Sequence, residues 1–336
     1  MDVHEVDGSL FSAEALRVSG ISPGSRRAEI AAGRIVVVHR GWYVHGSVWE
    51  TWHVEMRHAA QSLAAAFAMR GGDAALSHTS AAVLHGLPLF ALTPRRVHVI
   101  DPRSDGRAVP VAGVARHAVA IGSDVDEIAG IPVTSLARTV GDLVGRTNPE
   151  TAISLADAAL RRIAWDNKRH QYDTTAADAF KHAVRATPSL RPGRRGVIQA
   201  RWIVDFADGR ADRPGESVSR LYLHLLGFPA PRLQVPVAVR GKTYYADFGL
   251  DDVPAWGEFD GEGKYFDADG EVSLDALRDE KEREDSIRAA TGRIVARWGM
   301  RHLGSLASFR VQLARYGCRS RAALRFVPAG IHTARL

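Results

Sequence analysis

Apolar and polar positions follow their most regular pattern in the last third of the chain. Between residues 214 and 226 the apolar side chains recur three and four positions apart, which predicts an amphipathic helix. Three short apolar runs follow, then a charged helical stretch, one more apolar run and a last helix. The predicted order is α-β-β-β-α-β-α, with helices at 214–226, 274–291 and 302–316 and strands at 233–239, 243–250, 255–260 and 293–298.

The first 46 residues have the pattern of two short helices and a hairpin. Ser12 and Ser22 are placed to cap the two helices, and a glycine follows each helix. Apolar runs on either side of Arg40-Gly41 predict the hairpin. Helix, helix and β-hairpin is the outline of a winged helix-turn-helix, whose second helix can enter the major groove of DNA. A small structural cap with exposed arginines fits the same pattern.

Arginines in this front segment form a candidate DNA-binding surface. Arg26 and Arg27 lie on the second predicted helix, and Arg34 and Arg40 lie in the predicted wing. Guanidinium groups of this kind bind phosphate oxygens and position a protein on the duplex. We therefore predict that these four side chains contact the DNA backbone.

The segment between residues 50 and 160 has a mixed pattern that predicts helices at 54–69, 135–144 and 149–163 and a strand at 96–100. The run from Ser77 to Ser80 precedes a further short helix and contains His78. Hydroxyls placed before a helix are typically N-caps, and no acid lies nearby in the sequence to orient His78. We expect caps here rather than a catalytic nucleophile.

The cysteine count and the lack of long apolar stretches exclude several classes of protein. The chain of 336 residues has a single cysteine, Cys318, which excludes a disulfide framework or a cysteine-rich metal site and fits a reducing compartment. The N-terminus holds no apolar run, and no stretch approaches about 18 uncharged apolar residues, so we expect neither a signal peptide nor a membrane span. A cytoplasmic protein is the prediction.

The formal net charge of +6 hides strongly charged segments. Residues 161–201 carry a net +7, residues 247–285 a net −11, and residues 293–336 hold nine arginines and no acid. Neighbouring acidic and basic segments are expected in a metal-dependent enzyme that acts on a polyanion, because carboxylates bind the cation and arginines bind the phosphates. Charged surfaces that only face solvent would give the same pattern. We predict that Arg194, Arg195 and Arg283 bind phosphates as well.

Three carboxylates are candidates for a metal site. Asp247 falls late in one predicted strand and Glu258 in the next, and a short turn between antiparallel strands brings both to the same end of a sheet. Asp260 shares the face of Glu258, two residues on. Because three neighbouring carboxylates repel each other, a divalent cation, Mg²⁺ or Mn²⁺, is expected among them.

Other residues of this region have candidate roles beside the metal. Glu216 lies in the first turn of the helix before the strands, and Lys264 and Lys281 follow them. A lysine next to the metal can orient the nucleophile and stabilise charge on the phosphate, so both lysines are candidate catalytic residues. In the alternative, Asp247 and Glu258 are surface acids and Asp260-Gly261 is only a turn.

Residues 213–316 resemble the PD-(D/E)xK nuclease superfamily, in particular the branch similar to very-short-patch-repair endonucleases. The matching segments are PGESVSRLYLHLLGFPAPRLQVPV, YYADFGL, WGEFDGEGKY and RDEKEREDSIRAATGRIVARW. The resemblance implies a restriction-endonuclease-like α-β-β-β-α-β core that cleaves DNA with a metal. It also implies that Asp247 is the motif aspartate, Glu258 the motif glutamate and Glu216 the acid of the opening helix.

One position departs from the motif of this superfamily. Asp260 stands two residues after the glutamate, where the superfamily usually has a lysine. The related branch often has an acid at this position and its basic residue elsewhere. Lys264 or Lys281 would then take the role of the lysine.

Residues 1–160 are similar to the antitoxin component of type IV abortive-infection systems (AbiEi-like). The similar stretches are FSAEALRVSGISPGSRRAEIAAGRIVVVHRGWYV, LSHTSAAVLHGLPL and IPVTSLARTVGDL. The resemblance implies a DNA-binding, autoregulating winged-helix module. It also implies a nucleotidyltransferase-type toxin as a partner.

The predicted fold class is mixed α/β, and two functions fit it. One is a metal-dependent endonuclease for double-stranded DNA, in phage defence or repair; the other is a DNA-binding antitoxin or autoregulator with an inactive nuclease-like domain. The three acids Glu216, Asp247 and Glu258 favour the endonuclease. Asp260, in the usual position of the motif lysine, favours the antitoxin or autoregulator. The predicted segments are a winged helix-turn-helix (1–48), an AbiEi-like α/β segment (49–163), a basic helical linker (164–204), a nuclease-like domain (205–320) and a basic tail (321–336).

Overall fold

The computed structural model describes residues 3–69, 74–102, 113–239, 241–261, 274–320 and 322–328. The described chain is mixed α/β, as the sequence predicts, with helices and several β-sheets. It forms two compact units, one of Met1–Thr147 with Phe180–Arg194 and the other of Asn148–Ala179 with Arg195–Leu336. Among the helices of the described residues, none combines the length and the apolar composition that crossing a membrane requires.

The first unit contains seven complete helices and eight strands within its described residues. The helices are α1 (Val3–Gly8), α2 (Ala13–Val18), α3 (Pro23–Ala31), α4 (Gly46–Thr51), α5 (Val54–Ala68), α6 (His78–Leu84) and α7 (Leu136–Val144). The strands are β1 (Phe11–Ser12), β2 (Ile35–His39), β3 (Trp42–His45), β4 (Ala75–Leu76), β5 (Val97–Ile100), β6 (Val114–His117), β7 (Val125–Ile128) and β8 (Ile131–Thr134). The chain returns to this unit later, through a 3-10 helix at Pro188–Leu190.

The front of the first unit contains the predicted two helices and hairpin. The side chains of Ser12 and Ser22 each accept a hydrogen bond from the backbone N–H three residues on, so both predicted N-caps are confirmed. Strands β1, β3 and β2 form a sheet in that order. Leu16 of α2, Ile35 of β2 and Tyr43 of β3 are buried together and hold helix and sheet in contact.

A five-stranded mixed sheet forms the middle of the first unit, in the order β6-β5-β4-β8-β7. The pairs β5–β6 and β4–β8 are parallel, while β4–β5 and β7–β8 are antiparallel. Helices α5 and α6 pack on β5, and α7 packs on α6. Because β4 leads into α6 through Ser77 alone, the first turn of α6 lies beside strand β5.

The second unit has six helices and six strands within its described residues. The helices are α8 (Pro149–Ala164), α9 (Thr174–Ala186), which continues into the first unit, α10 (Val197–Phe206), α11 (Pro214–Leu225), α12 (Leu274–Thr291) and α13 (Leu306–Arg315). The strands are β9 (Trp165–Asp166), β10 (Gln171–Tyr172), β11 (Arg232–Val239), β12 (Lys242–Leu250), β13 (Ala255–Asp260) and β14 (Ile294–Gly299). From α11 onward this is the predicted order of elements.

Strands β11, β12, β13 and β14 form one sheet in chain order. The first three are antiparallel, and β14 runs parallel to β13 after the crossover through α12. One face packs on α12, where Val235 and Ile287 are buried together. The other packs on α11 and α13, with Trp298 between Phe248 and Phe309 at ring-centroid distances of 5.5 and 5.3 Å.

A buried ion pair joins α8 to α11. Nη2 of Arg220 lies 2.8 Å from both carboxylate oxygens of Asp157, whose side chain is wholly inaccessible to solvent. Helix α8 therefore groups with the second unit, and the division into units falls at residue 147. The boundaries predicted from the sequence, after residues 48, 163, 204 and 320, follow segment composition, whereas this division follows the packing of helices.

Candidate functional site

Strands β12 and β13 diverge at the two acids of the sequence motif. Their antiparallel pairing ends with Phe248 and Gly257, so Asp247 and Glu258 are the next residues on the two strands. Where the ladder stops, Oδ2 of Asp247 accepts a hydrogen bond of 2.9 Å from the backbone N–H of Phe259. The two acids thus occupy neighbouring positions at the point where the strands separate.

Gln234 joins two of the acids from the edge strand β11. Its backbone has a φ of 48°, in the left-handed region that a residue other than glycine seldom adopts. Its side-chain Nε2 donates to Oε2 of Glu216 and to Oδ1 of Asp247, each at 3.3 Å. Gln234 is not among the residues predicted from the sequence, where a lone amide between apolar strand residues is the only signal that marks it.

Glu216 is buried at the start of α11, with 3% of the residue exposed. Its Oε2 also accepts a hydrogen bond of 2.9 Å from the backbone N–H of Asp212. Burial, and then the charge of Asp247, raise the pKa of Glu216 to about 8. Burial and the neighbouring charge therefore both favour the protonated form of this carboxyl group.

Glu258 is buried on β13 and contacts two arginines. Nη2 of Arg283 in α12 donates to its Oε1 at 2.5 Å, and Nη2 of Arg297 in β14 lies 3.9 Å from its Oε2. Burial raises the pKa of Glu258 to about 7, an effect that Asp247 increases and the two arginines oppose. Neither arginine is recognisable from the sequence as a partner of Glu258, because both lie more than twenty residues after it.

Asp260, in the usual position of the motif lysine, lies beside Arg297 at 3.7 Å. Of the two lysines proposed as substitutes, Lys264 lies outside the described residues, and Lys281 lies in α12 with its side chain outside them. Within the described part of the site, the cations that contact the acids are therefore arginines, Arg283 and Arg297.

The predicted DNA-binding arginines of the front segment differ in their surroundings. Arg26 lies over the ring of Tyr43, 5.6 Å from its centroid, and is half-buried. Arg34 makes two hydrogen bonds of 2.7 Å to a carboxylate of α3. Arg27 and Arg40 are exposed, so they are the better candidates for phosphate contacts.

The remaining predicted DNA-binding arginines are spread over both units. Arg194 belongs to the first unit and Arg195 to the second, and both are exposed. Arg283 is half-buried against Glu258, as described above. Its guanidinium group is therefore part of the carboxylate site.

The hydroxyl at the start of α6 does not cap the helix, so that expectation was wrong. Ser77 is the N-cap residue, but its side chain makes no capping hydrogen bond, and its Oγ lies 3.0 Å from Nδ1 of His78. Ser80 Oγ accepts a hydrogen bond from the backbone N–H of His98 and lies 3.0 Å from Nε2 of His58. The hydroxyl of Ser77 therefore contacts the ring of the next residue instead of the helix backbone. The hydroxyl of Ser80 contacts His58 and His98, which lie on other elements that local sequence cannot place beside it.

His78 belongs to a cluster of three histidines in the first unit. One ring nitrogen each of His78, His98 and His117 lies within 4.8 Å of the others, and this is the one such set of three metal-binding side chains among the described residues. The cluster is not predicted from the sequence, because its three residues come from the separate elements α6, β5 and β6. A histidine in each of three neighbouring elements was the only signal.

No family model matches the chain. The chain is 29% identical over 252 residues to uncharacterized proteins from two strains of Mycobacterium tuberculosis, a match that covers 72% of this chain and 85% of each relative. The names of these relatives state no activity, so the function is inferred from the chemistry of the sites.

Proposed function

We propose that the protein is a metal-dependent endonuclease that hydrolyses phosphodiester bonds of double-stranded DNA at the carboxylates of its second unit. The observation that carries this proposal is the position of Asp247 and Glu258 where β12 and β13 diverge, with Glu216 linked to Asp247 through Gln234. The resemblance to PD-(D/E)xK nucleases supports it, because it assigns the motif to these same acids. The order from α11 to β14 agrees with the core of that superfamily.

The front of the first unit would supply DNA affinity as a winged helix-turn-helix. Helices α2 and α3 and the β2–β3 hairpin have the order that this module requires. Arg27 on α3 and Arg40 in the hairpin turn are exposed, and both can bind phosphate oxygens. The AbiEi-like resemblance of the same segment supports this role.

The carboxylates fit a hard divalent cation such as Mg²⁺ or Mn²⁺, which prefers oxygen ligands. Burial raises the pKa values of Glu216 and Glu258, and the charge of Asp247 raises both further, so a cation nearby would relieve an existing repulsion. Asp247, Glu258 and Asp260 are the residues that would hold it. Bound there, the ion would polarise the scissile phosphate and lower the pKa of the attacking water.

The protein's own cations are placed to bind the substrate. Arg283 and Arg297 lie next to Glu258, and a guanidinium group can bind a phosphate with two parallel hydrogen bonds. They would bind the scissile phosphate beside the acids and stabilise its charge, which is one of the roles expected of a motif lysine. Gln234 would hold Asp247 in place through its hydrogen bond to Oδ1.

Plasmid cleavage tests the proposal. Purified full-length protein is incubated with supercoiled plasmid and Mg²⁺ or Mn²⁺, beside an Asp247→Ala/Glu258→Ala double variant and a sample with EDTA. We expect nicked or linear DNA with the wild type and metal alone. Intact plasmid in every lane, from protein that binds DNA in a gel shift, would contradict the proposed activity.

A second function is favoured by the ion pair between Arg283 and Glu258. Arg283 and Arg297 place positive charge beside Glu258, so part of the negative charge of the acids is balanced without a metal ion. That balance suits a DNA-binding antitoxin or autoregulator in which the second unit is a scaffold, with a nucleotidyltransferase-type toxin as its partner. Gel-shift binding without cleavage would favour this function.

A further inference from the structure

Three imidazoles of the first unit converge at the edge of its five-stranded sheet. His78 begins α6, His98 lies in β5 and His117 ends β6. One nitrogen of each ring lies within 4.8 Å of the others, and Nδ1 of His98 is 3.0 Å from Nε2 of His117. Ligands at about 2.0–2.1 Å from a tetrahedral zinc ion are about 3.4 Å apart, so the rings are close to ligand spacing.

Backbone contacts fix the positions of two of these histidines. The backbone N–H of Ser77 donates to the carbonyl oxygen of His98 at 2.9 Å, and the backbone N–H of His98 donates to Oγ of Ser80 at the same distance. The first turn of α6 is therefore tied to β5 from both sides. The backbones that carry His78 and His98 are therefore held next to each other by the fold.

His78 has an unfavourable backbone conformation, and its ring contacts the hydroxyl of Ser77. Its φ of 50° lies in the left-handed region, which is unfavourable for a residue with a Cβ. Oγ of Ser77 lies 3.0 Å from Nδ1 of His78, and a hydrogen bond to one ring nitrogen is what orients a metal-binding imidazole. Strain of this kind is concentrated at functional sites, where the surrounding contacts hold it.

Burial and neighbouring positive charges both disfavour the charged form of the three rings. Burial lowers the pKa of His78 to about 2 and that of His98 to about 4, and it also lowers the pKa of His117. The charge of Arg146 lowers the pKa of each ring further.

A cleft of about 80 Å³ gives access to the cluster. Its lining includes His78 and His117 and the charged residues Arg138, Asp142, Arg146 and Arg194. The charge of Arg138 is offset by Asp142 at 2.9 Å and Asp124 at 3.3 Å, and Arg146 is exposed and therefore screened by solvent. The positive charge of the rim is thus partly balanced by these acids and partly screened by solvent.

We propose that His78, His98 and His117 bind a divalent transition-metal ion of the zinc class, with a fourth coordination position open to the cleft. Imidazole ligands suit Zn²⁺, and three protein ligands with one open position are the arrangement of a catalytic rather than a structural zinc. The proposal is independent of the nuclease activity, because its ligands lie in the first unit and the carboxylates lie in the second.

The alternative to metal binding is that the three imidazole rings only stack on one another. The rings of His78 and His117 are stacked with centroids 4.2 Å apart, and those of His98 and His117 with centroids 5.3 Å apart. Neutral stacked rings can fill a core without any ion. In that case the protein has no zinc affinity that depends on these side chains.

Metal titration separates the two roles. Full-length protein is stripped with a chelator, Zn²⁺ is titrated by calorimetry, and Co²⁺ is added separately to record its visible d–d absorption. The background is the Asp247→Ala/Glu258→Ala protein, so that carboxylate binding does not contribute. We expect one Zn²⁺ per chain, and a Co²⁺ spectrum of a tetrahedral site with nitrogen ligands.

The variants identify the ligands. His117→Gln and His98→Gln, made in the same background, should weaken Zn²⁺ binding about a hundredfold or more, and Ser77→Ala about ten- to a hundredfold. His53→Gln, an exposed histidine of the same unit, should bind as its parent does. His117 is half-buried, so its variant is expected to fold even where His98→Gln does not, and circular dichroism checks this. No Zn²⁺ binding in the parent, or equal affinity in folded His117→Gln, would overturn the proposal.

Discussion

At the scale of single residues, Asp157 and Arg220 are the most consequential ion pair of the second unit. Both side chains are almost inaccessible to solvent, and the pair spans α8 and α11. Replacement of Arg220 by Leu leaves a buried carboxylate without its partner, so we expect a loss of about 3–5 kcal/mol in the free energy of unfolding. Urea denaturation of the two proteins measures it.

A matched control is the exposed pair between Arg232 and Asp251, at 2.8 Å with both side chains about half exposed. Arg232→Leu should cost less than about 1 kcal/mol, because solvent already screens this pair. Equal losses for Arg220→Leu and Arg232→Leu would mean that burial does not decide the contribution of ion pairs in this unit.

Gln234 sets the charge balance of the carboxylate site. In Gln234→Glu a further carboxylate replaces the amide that donates to Glu216 and Asp247, so the repulsion between the acids increases. We expect a melting temperature several degrees below that of the wild type in EDTA, and recovery of most of this loss in Mg²⁺. Calorimetry in both buffers measures it, and a loss that Mg²⁺ leaves unchanged would argue against cation binding by these acids.

At the scale of elements, α11 is packed tightly on the strand that carries Glu258. A Cβ added to Gly215 would lie 2.0 Å from the ring of Phe259 in β13. Gly215→Ala should therefore destabilise the protein by about 1–3 kcal/mol, although alanine is the better helix former. Because Glu216 follows directly, we also expect weaker DNA cleavage from this variant.

The start of α3 provides the control for Gly215→Ala. Both helices begin with Pro-Gly, and a Cβ on Gly24 would meet only Ser22 Oγ, at an ordinary contact distance of 3.8 Å. Gly24→Ala should leave the stability unchanged or raise it by up to about 1 kcal/mol. Thermal denaturation compares the two, and a Gly215→Ala protein as stable as Gly24→Ala would show that α11 can move away from β13.

The elements themselves could be predicted because their signals are local. The caps at Ser12 and Ser22 and the apolar spacing of α11 lie within one turn or one helix, and the structure has them where the sequence predicts. The two-residue strand β4 has no such signal, since its partners β5 and β8 lie far away in the sequence. Strands of this kind form through pairing and not through propensity.

Of the carboxylate site, only the acids could be predicted from the sequence. Asp247 and Glu258 follow from strand spacing and a motif, but Gln234, Arg283 and Arg297 reach them from three other elements. Which long side chain pairs with a buried acid depends on the packed sheet, and a single sequence does not give that packing. The histidine cluster escaped prediction for the same reason.

At the scale of the whole molecule, the charged segments make DNA binding depend on salt. Removing one phosphate-binding side chain lowers the slope of log K against log salt by about 0.9, so Arg26→Ala/Arg27→Ala should lower it by up to about two. Because Arg27 is exposed and Arg26 lies over Tyr43, we expect most of the effect in Arg27→Ala alone. Fluorescence anisotropy with labelled duplex at several salt concentrations measures the slope.

Arg17 provides the control for this charge change. It is exposed on α2 and pairs with Glu14, outside the proposed recognition helix. Arg17→Ala should leave the slope as in the wild type, since long-range charge alone is screened. If Arg17→Ala and Arg27→Ala lower it equally, the front segment contributes net charge and not specific phosphate contacts.

The central claim is that the carboxylates of the second unit cleave DNA. The most direct test is the single-turnover cleavage of a labelled duplex in Mg²⁺ by Asp247→Asn and by Asp251→Asn. Asp247→Asn removes one charge from β12, and Asp251→Asn removes one charge from the turn that follows β12. We predict that Asp247→Asn lowers the cleavage rate about a hundredfold or more, as for other electrostatic groups of active sites, while Asp251→Asn cleaves as the wild type does. Equal rates for the two variants, or no cleavage by the wild type, would contradict the account.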